Sequence, residues 1–227
     1  MTLEGLRLYF RNQIYLPLTR NVRRKKLRCD QFTIISNNCW GGVVYESYGV
    51  LKQSPTVGMF IMPKDFVKMC SHLKYYLSLP LEFIPSNESK WKHILCTYNR
   101  WGDWPIARLG DIELQMLHAH GTSEEIKKQW VRRVERIHWD KILYKFNDQN
   151  GCEKIDIENY FRLPLKNKLF FAAKDYLIDP NLTCENYYVI NQPKSAKSIL
   201  ASYEPYGNNK YFNLNEIINS LTTVSIE

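Results

Sequence analysis

Short apolar runs alternate with helical patterns along this chain, and this alternation limits the folds that it can adopt. Strand composition recurs at 31–35, 56–61, 141–146, 169–172 and 187–190. Apolar residues at helical spacing separate several of these runs. Strands separated by helices favour an α/β sheet with helices on both faces. The sequence therefore predicts an α/β fold, a three-layer Rossmann-like sandwich with a mixed, mostly parallel sheet.

A hairpin in the middle of the chain is the reason to expect a mixed sheet. The run 105–109 has strand composition, and Gly110 then turns the chain. Residues 111–118 alternate polar and apolar, as a strand with one buried face does. The two runs are close enough to pair locally and antiparallel.

Helix signals flank the hairpin on both sides. Asp65 is placed to cap a helix over 66–79. Thr122 and Glu125 have the spacing of a capping box, and an apolar stripe follows them to residue 137. Shorter helices are expected near 156–164 and 214–221.

The length of 227 residues favours a single α/β domain over residues 1–227. We expect its core at 30–190, after an N-terminal helix and basic segment at 1–29 and before a C-terminal extension at 191–227. No apolar run approaches the roughly 18 residues that cross a bilayer. The six cysteines form no C-x-x-C pair, so we expect reduced thiols in a soluble, cytoplasmic protein without a secretion signal.

The net charge of +8 suits a polyanion, a membrane surface or an anionic substrate. An amphipathic helix over 3–19 is expected until Pro17 interrupts its apolar face of Leu6, Tyr9, Phe10 and Ile14. The basic residues that follow are Arg20, Arg23, Arg24, Lys25, Lys26 and Arg28. A solvated helix end is the favoured explanation of these residues, and peripheral contact with an anionic membrane is the alternative. No nucleic-acid-binding module is recognisable, so we expect no specific nucleic-acid partner.

The segment S-N-N-C-W-G-G at 36–42 follows the first strand directly and is the strongest candidate site. Ligands of open α/β sheets bind beyond the carboxyl ends of the strands. We predict a turn at Gly41 and Gly42 that forms an anion nest, with Asn37 and Asn38 binding sugar hydroxyls or phosphate. A turn that satisfies its own backbone is the alternative. The ligand-binding candidates of this segment are Ser36, Asn37, Asn38, Cys39, Trp40, Gly41 and Gly42, with Cys39 better explained by packing than by nucleophilic attack.

Charged residues elsewhere offer weaker candidates. Asp111 and Glu113 share one face of the second hairpin strand and could act in acid/base chemistry or line a polar edge. Arg132, Arg133 and Arg136 could bind phosphate or carboxylate, or cover an exposed helix face. His118 and His120 lack a third ligand, and we predict no metal site. The common dinucleotide, P-loop, hydrolase and kinase motifs are absent, so the sequence assigns no cofactor.

Several sequence blocks resemble a bacterial family that is known as a domain of unknown function, number nineteen-nineteen. The similarity extends over about 30–175, with departures at His120 and His138. The blocks are S-N-N-C-W-G-G at 36–42, Tyr45, S-P-T-V-G at 54–58, D-F-V-K at 65–68, G-D-I-E at 110–113 and W-V-R-R-V-E-R-I-H-W-D at 130–140. Members are often labelled exopolysaccharide biosynthesis proteins, so the resemblance implies an α/β fold and work on cell-surface glycans.

The resemblance leads to two hypotheses about function. The first is a glycosyl- or acyltransferase of polysaccharide biosynthesis that binds a carbohydrate or nucleotide sugar. In it, Asp65, Asp111 or Glu113 would deprotonate a sugar hydroxyl, and the three arginines would balance anionic charge. The second is a non-catalytic glycan-binding or assembly factor, in which Trp40, Tyr45, Trp101 and Trp104 stack on sugar rings.

Overall fold

The structure, a computed structural model, describes residues 6, 9–98, 100–190 and 212–221 and contains two four-stranded sheets. The first sheet is parallel and has the strand order β1-β6-β7-β8. Its strands are β1 Thr33–Ser36, β6 Ile142–Asn147, β7 Lys168–Ala172 and β8 Asn186–Val189. With helices between these strands, the α/β class is confirmed.

The second sheet is antiparallel and has the order β2-β5-β4-β3. Its strands are β2 Phe60–Ile61, β3 Glu82–Ile84, β4 Ile106–Leu109 and β5 Ile112–Gln115. The expected hairpin is β4 and β5, joined at Gly110 with a φ of 60°. The parallel and antiparallel pairs expected in one mixed sheet are thus divided between two sheets, because β2 pairs with the hairpin and not with β1.

Eight α-helices are assigned within the described residues. They are α1 Leu16–Arg24, α2 Trp40–Tyr48, α3 Pro63–Ser71, α4 Leu73–Ser78, α5 Lys92–Leu95, α6 Ser123–Val134, α7 Lys154–Arg162 and α8 Leu214–Asn219. A π-helical turn, Arg11–Tyr15, precedes α1, and Ser86–Glu88 forms a 3-10 turn. Pro17 lies in the first turn of α1, where proline is tolerated, so the N-terminal helix continues past it. The parts of the predicted N-terminal helix at 3–5, 7 and 8 lie outside the described residues.

The parallel sheet is covered on both faces. Ile34 and Leu169 belong to a cluster that includes the apolar residues of α2 and α8. Ile35, Phe146 and Phe170 belong to a second cluster, which they share with α3, α7 and the antiparallel sheet. The C-terminal helix therefore packs into the same core as the first strand. No helix among the described residues is long and apolar enough to cross a bilayer.

Helix α2 replaces the glycine turn that the sequence suggested. Gly41 and Gly42 are buried in its first turn. A Cβ atom at Gly41 would lie 3.1 Å from Cγ2 of Ile34, and one at Gly42 would lie 3.0 Å from Cγ1 of Val57. The two glycines therefore serve close packing of α2, and the predicted turn and anion nest at this pair are not formed.

Side chains satisfy the outer edge of β1. The Tyr45 hydroxyl accepts a hydrogen bond from the Ile34 amide at 2.8 Å and donates one to the Phe32 carbonyl at 3.1 Å. The Ser36 amide donates to Oγ1 of Thr56 at 3.1 Å. Side chains thus take the place of a further strand at this edge of β1.

We predict that Tyr45→Phe destabilises the protein by about 1–3 kcal/mol, because the buried Ile34 amide and Phe32 carbonyl each lose a partner. Urea unfolding measures the loss. Tyr75→Phe is the matched control, since Tyr75 is 59% exposed. Equal stability of the two variants would contradict this role of the Tyr45 hydroxyl.

Candidate functional site

Polar side chains gather where strands β1, β6 and β7 end. Ser36, the last residue of β1, is in register with Lys145 of the neighbouring strand β6. The carboxyl edge of a parallel sheet is the usual ligand position in open α/β folds. We call the group the carboxyl-edge cluster and define it as Asn37, Asn38, Lys145, Asn147, Asp148 and Gln149.

Asn38 connects the two strands to helix α2. Its Nδ2 donates to Oδ1 of Asn147 at 3.0 Å and to Oε1 of Gln149 at 3.4 Å. Its Oδ1 accepts from the Trp40 amide at 3.1 Å and from Nζ of Lys145 at 2.9 Å. One carboxamide therefore fixes the start of the helix, the end of β6 and the loop after it.

Lys145 places a positive charge inside the cluster. Its side chain is fully buried, and Nζ donates to Oδ1 of Asn38 and, at 2.6 Å, to Oδ1 of Asn147. Nζ also lies 5.8 Å from the ring centroid of Trp40 and 5.5 Å from that of Phe171. Neutral amide oxygens and aromatic faces thus surround the ammonium group.

Asn37 and Asp148 each present an acceptor atom that has no hydrogen-bond partner among the described residues. These atoms are Oδ1 of Asn37 and Oδ1 of Asp148, and both are buried. The other Asp148 oxygen accepts from the Ala173 amide at 2.8 Å and from the Tyr176 hydroxyl at 3.0 Å. Burial raises the pKa of Asp148 above its ordinary value, and the charge of Lys145 acts in the opposite direction. The cluster therefore contains two hydrogen-bond acceptors that the described residues leave unsatisfied and that are shielded from solvent in this structure.

Cys39 lies beside the cluster and is partly exposed. Its thiol is 3.7 Å from the Met59 carbonyl. Burial raises the pKa of the thiol to about 11, although the charge of Lys145 lowers it. A thiol with this pKa remains protonated at neutral pH and is a poor nucleophile.

Trp40 and Tyr45, two of the residues expected to stack on sugar rings, are core residues. Trp40 is fully buried against Phe171, with ring centroids 5.5 Å apart. Tyr45 is also fully buried, with its hydroxyl on the edge of β1. Neither ring is accessible to a sugar, so the stacking predicted for these two residues is not possible in this structure.

Two of the three predicted catalytic carboxylates form a separate network, on the antiparallel sheet. Asp65, the third residue of α3, does not cap that helix with its side chain. Instead it accepts from Nζ of Lys90 at 2.6 Å, from Nε1 of Trp91 at 2.7 Å and from the Glu113 amide at 2.9 Å. Glu113 accepts from the Ser89 hydroxyl at 2.6 Å. Burial is the main cause that raises the pKa of Asp65.

This network holds the connector at 89–91 against the hairpin. Glu113 also pairs with Arg108 at 3.2 Å. Asp111 is more exposed and pairs with Lys68, and this hydrogen bond lowers the pKa of Asp111. The structure therefore joins Asp65 to the backbone of Glu113, and the partners of both carboxylates described above lie outside the segment 36–42.

The three candidate arginines point to different surroundings. Arg133 donates to the Val57 carbonyl at 3.0 Å, and burial lowers its pKa. Arg136 lines a surface groove of about 370 Å³ together with Arg24 and His138. Arg132 is exposed on the other side of the helix end, beside Val131. They do not form one anion clamp in this structure.

An aromatic group lies near the loop that follows β6. The rings of Trp101 and Trp104 are 6.0 Å apart, and Phe60 stacks on Tyr98 at 6.3 Å. The Tyr98 hydroxyl donates to Oδ1 of Asn150 at 2.9 Å. Trp101 and Trp104 are partly exposed. This aromatic group, made of these four rings, is thus joined to the loop that carries Asp148 and Gln149.

Sequence reasoning missed four residues of the cluster: Lys145, Asn147, Asp148 and Gln149. The signal was present, because β6 ends in a polar loop just as β1 does. A lysine between Tyr144 and Phe146 in a strand was the second signal. Among the described residues, no group of three or more His, Cys, Asp or Glu side chains could hold a metal ion.

The fold and the site together define an α/β protein with an amide-rich polar cluster at the carboxyl edge of a parallel sheet. The chain belongs to the family described as a domain of unknown function, DUF1919, whose model matches residues 11–221. An uncharacterized protein of Haemophilus influenzae is 28% identical over 153 residues, which cover 67% of each chain. The family match extends over both terminal helices α1 and α8.

We predict that iodoacetamide modifies Cys39 much more slowly than the exposed Cys96 at pH 8. With a pKa of about 11, about one Cys39 thiol in a thousand is ionised at that pH. Raising the pH toward 11 should increase the rate at Cys39. Peptide mapping by mass spectrometry measures both sites, and equally fast reaction at pH 8 would contradict the burial of the thiol.

Proposed function

We propose that this protein acts in the cytoplasm in the biosynthesis of a cell-surface or exported polysaccharide, as a transferase that binds a sugar substrate at the carboxyl-edge cluster. The observation that carries the proposal is the grouping of carboxamides around the buried Lys145 at the ends of β1 and β6. The six free thiols support a reducing compartment. The link to polysaccharides comes from the family resemblance in the sequence.

The chemistry of the cluster suits a carbohydrate. A sugar presents many hydroxyl groups, and each can donate and accept hydrogen bonds. The unpartnered oxygens of Asn37 and Asp148, which are buried in this structure, would accept from hydroxyls once the cluster opens, and the partly exposed Gln149 amide would donate. The charge of Lys145 would favour an anionic group such as the phosphate of a nucleotide sugar.

In this proposal, Asp148 is the carboxylate that takes part in the transfer step. Its Oδ1 would take the proton of an acceptor hydroxyl, whose oxygen bonds to the sugar or acyl carbon of the donor. The leaving group would depart with its bonding electrons, and the charge of Lys145 would stabilise it. The raised pKa of Asp148 suits this role, because a stronger base takes up a proton more readily.

The second candidate is a non-catalytic glycan-binding or assembly factor. The aromatic group favours it, since Trp101 and Trp104 are partly exposed and adjoin the loop of the cluster. The engagement of Asp65 and Glu113 in the network on the antiparallel sheet also argues against these two residues as the base of a transferase.

We predict that Gln149→Ala weakens ligand binding about fivefold to tenfold, because one hydrogen-bonding side chain of the cluster is lost. Nucleotide sugars, acyl-coenzyme A thioesters and neutral oligosaccharides form the panel for thermal shift, and calorimetry then gives the Kd of the best ligand. Gln31→Ala is the matched control, because Gln31 is exposed before the amino end of β1. Failure of the whole panel, or equal weakening by both variants, would contradict a sugar site at the cluster.

We predict that Asp148→Asn lowers transferase turnover about 10²- to 10⁴-fold while the Kd of the donor changes little. The amide keeps the shape of the carboxylate but cannot take up the proton. Product formation from a radiolabelled donor measures the rate. Binding without turnover in the unmodified protein would favour the glycan-binding factor, and unchanged turnover in the variant would exclude Asp148 as the base.

A further inference from the structure

The N-terminal helical segment, which includes the π-helical turn Arg11–Tyr15 and helix α1, presents an apolar face to solvent. Phe10, Ile14, Leu18 and Val22 follow one another at intervals of four residues, which places neighbours on one helix side. Their exposed fractions are 56%, 40%, 77% and 59%. Leu6 and Tyr9 extend this row of exposed side chains, with 50% and 59%. Single exposed apolar residues are common in proteins, but a continuous row along one helix indicates an interaction surface.

The opposite side of the helix is fixed to the protein. Leu16 and Arg23 are buried. Nε and Nη2 of Arg23 donate to the Ser47 carbonyl of α2 at 2.9 and 2.6 Å, and Nη2 also donates to the Leu16 carbonyl at 2.6 Å. The Arg23 contacts hold the helix against the end of α2. The apolar row therefore faces outward because its orientation is set by the buried side.

The same segment carries strong positive charge. Residues 5–29 contain no aspartate or glutamate. Their basic residues are Arg7, Arg11, Arg20, Arg23, Arg24, Lys25, Lys26 and Arg28. Arg20, Arg24, Lys25, Lys26 and Arg28 are exposed. Arg23 does not contribute to this exposed charge, because its guanidinium group is buried.

We propose that this helix binds the surface of an anionic phospholipid bilayer, with the apolar row in the boundary between headgroups and acyl chains. An apolar row flanked by lysine and arginine is the pattern of helices that lie in this interface. Each basic residue near an anionic leaflet adds to the attraction. The contact is peripheral, and it does not require a ligand at the carboxyl-edge cluster.

The charge distribution favours lipid over the other possible occupants. A nucleic acid would pair with the basic residues but would leave the apolar row in water. A second copy of the chain, related by twofold symmetry, would bring the same basic segment against this one. An anionic bilayer satisfies both features, because its headgroups are negative and its interior is apolar.

Vesicle co-sedimentation of the full chain tests the proposal. We expect binding to vesicles of phosphatidylcholine with phosphatidylglycerol, and at least about tenfold weaker binding to phosphatidylcholine alone. Binding to the mixed vesicles should weaken as the salt concentration rises. Equal binding to both vesicle types, or none to either, would overturn the proposal.

Two pairs of variants separate the apolar and the charge contributions. Leu18→Asn should weaken binding about tenfold or more, whereas Leu177→Asn, at a residue that is 90% exposed elsewhere, should not. Lys25→Glu with Lys26→Glu should also weaken binding about tenfold or more. Lys128→Glu with Lys166→Glu changes the net charge equally at exposed sites and should have a smaller effect. Equal effects within either pair would overturn the assignment to this helix.

Light scattering without lipid tests the competing occupant. We expect that light scattering detects no dimer that is lost in the Leu18→Asn variant. A dimer of that kind, combined with absence of vesicle binding, would assign the apolar row to a second copy of the chain and overturn the proposal.

Discussion

The side chain of Asn38 is the contact on which the rest of the site depends. Its carboxamide joins the backbone at the start of α2 to Lys145 and Asn147 at the end of β6. A buried ammonium group is tolerated only when polar partners replace its water. Asn38 supplies one of those partners and also satisfies an amide at the beginning of the helix. The Asn38 carboxamide therefore holds the start of α2 in position and also stabilises the buried charge of Lys145.

The network of Asp65 and Glu113 lies at the antiparallel sheet, whereas Lys145 lies in the parallel sheet, and this separation limits the chemistry at each. Asp65 and Glu113 bond to the connector at 89–91 and hold it on the hairpin. The parallel sheet has mainly neutral amides around Lys145, with Asp148 as the carboxylate at its edge. In the proposed function, a ligand at this edge would therefore have one buried cation, hydrogen-bonding amides and one carboxylate near it.

Seven of the eight described strands and most helices follow from local sequence, whereas strand β3 and helix α2 do not. The hairpin at Gly110 and the capping box at Thr122 are local signals, and the structure has both. The first turn of helix α2 contains two glycines, which have low helix propensity, so the sequence favoured a turn. Its stability comes from packing of Trp40 and Val44 in the core, a contact between residues far apart in the chain. The sequence correctly placed the segment 36–42 at the end of a strand. Its hydrogen-bond partners Lys145 and Asn147 are more than 100 residues away in the chain, so the local sequence does not predict them.

Helix α2 also connects the outward-facing N-terminal helix to the carboxyl-edge cluster. Asn38 holds the first turn of α2, and Arg23 bonds to the Ser47 carbonyl near its last turn. Nine helical residues have a length of about 13 Å. The distance between the two contacts is therefore set by a packed helix and not by a loop. If α1 lies on a bilayer, the cluster has a fixed height and orientation relative to that surface, and a lipid-linked substrate would reach it only if its sugar extends over a matching distance.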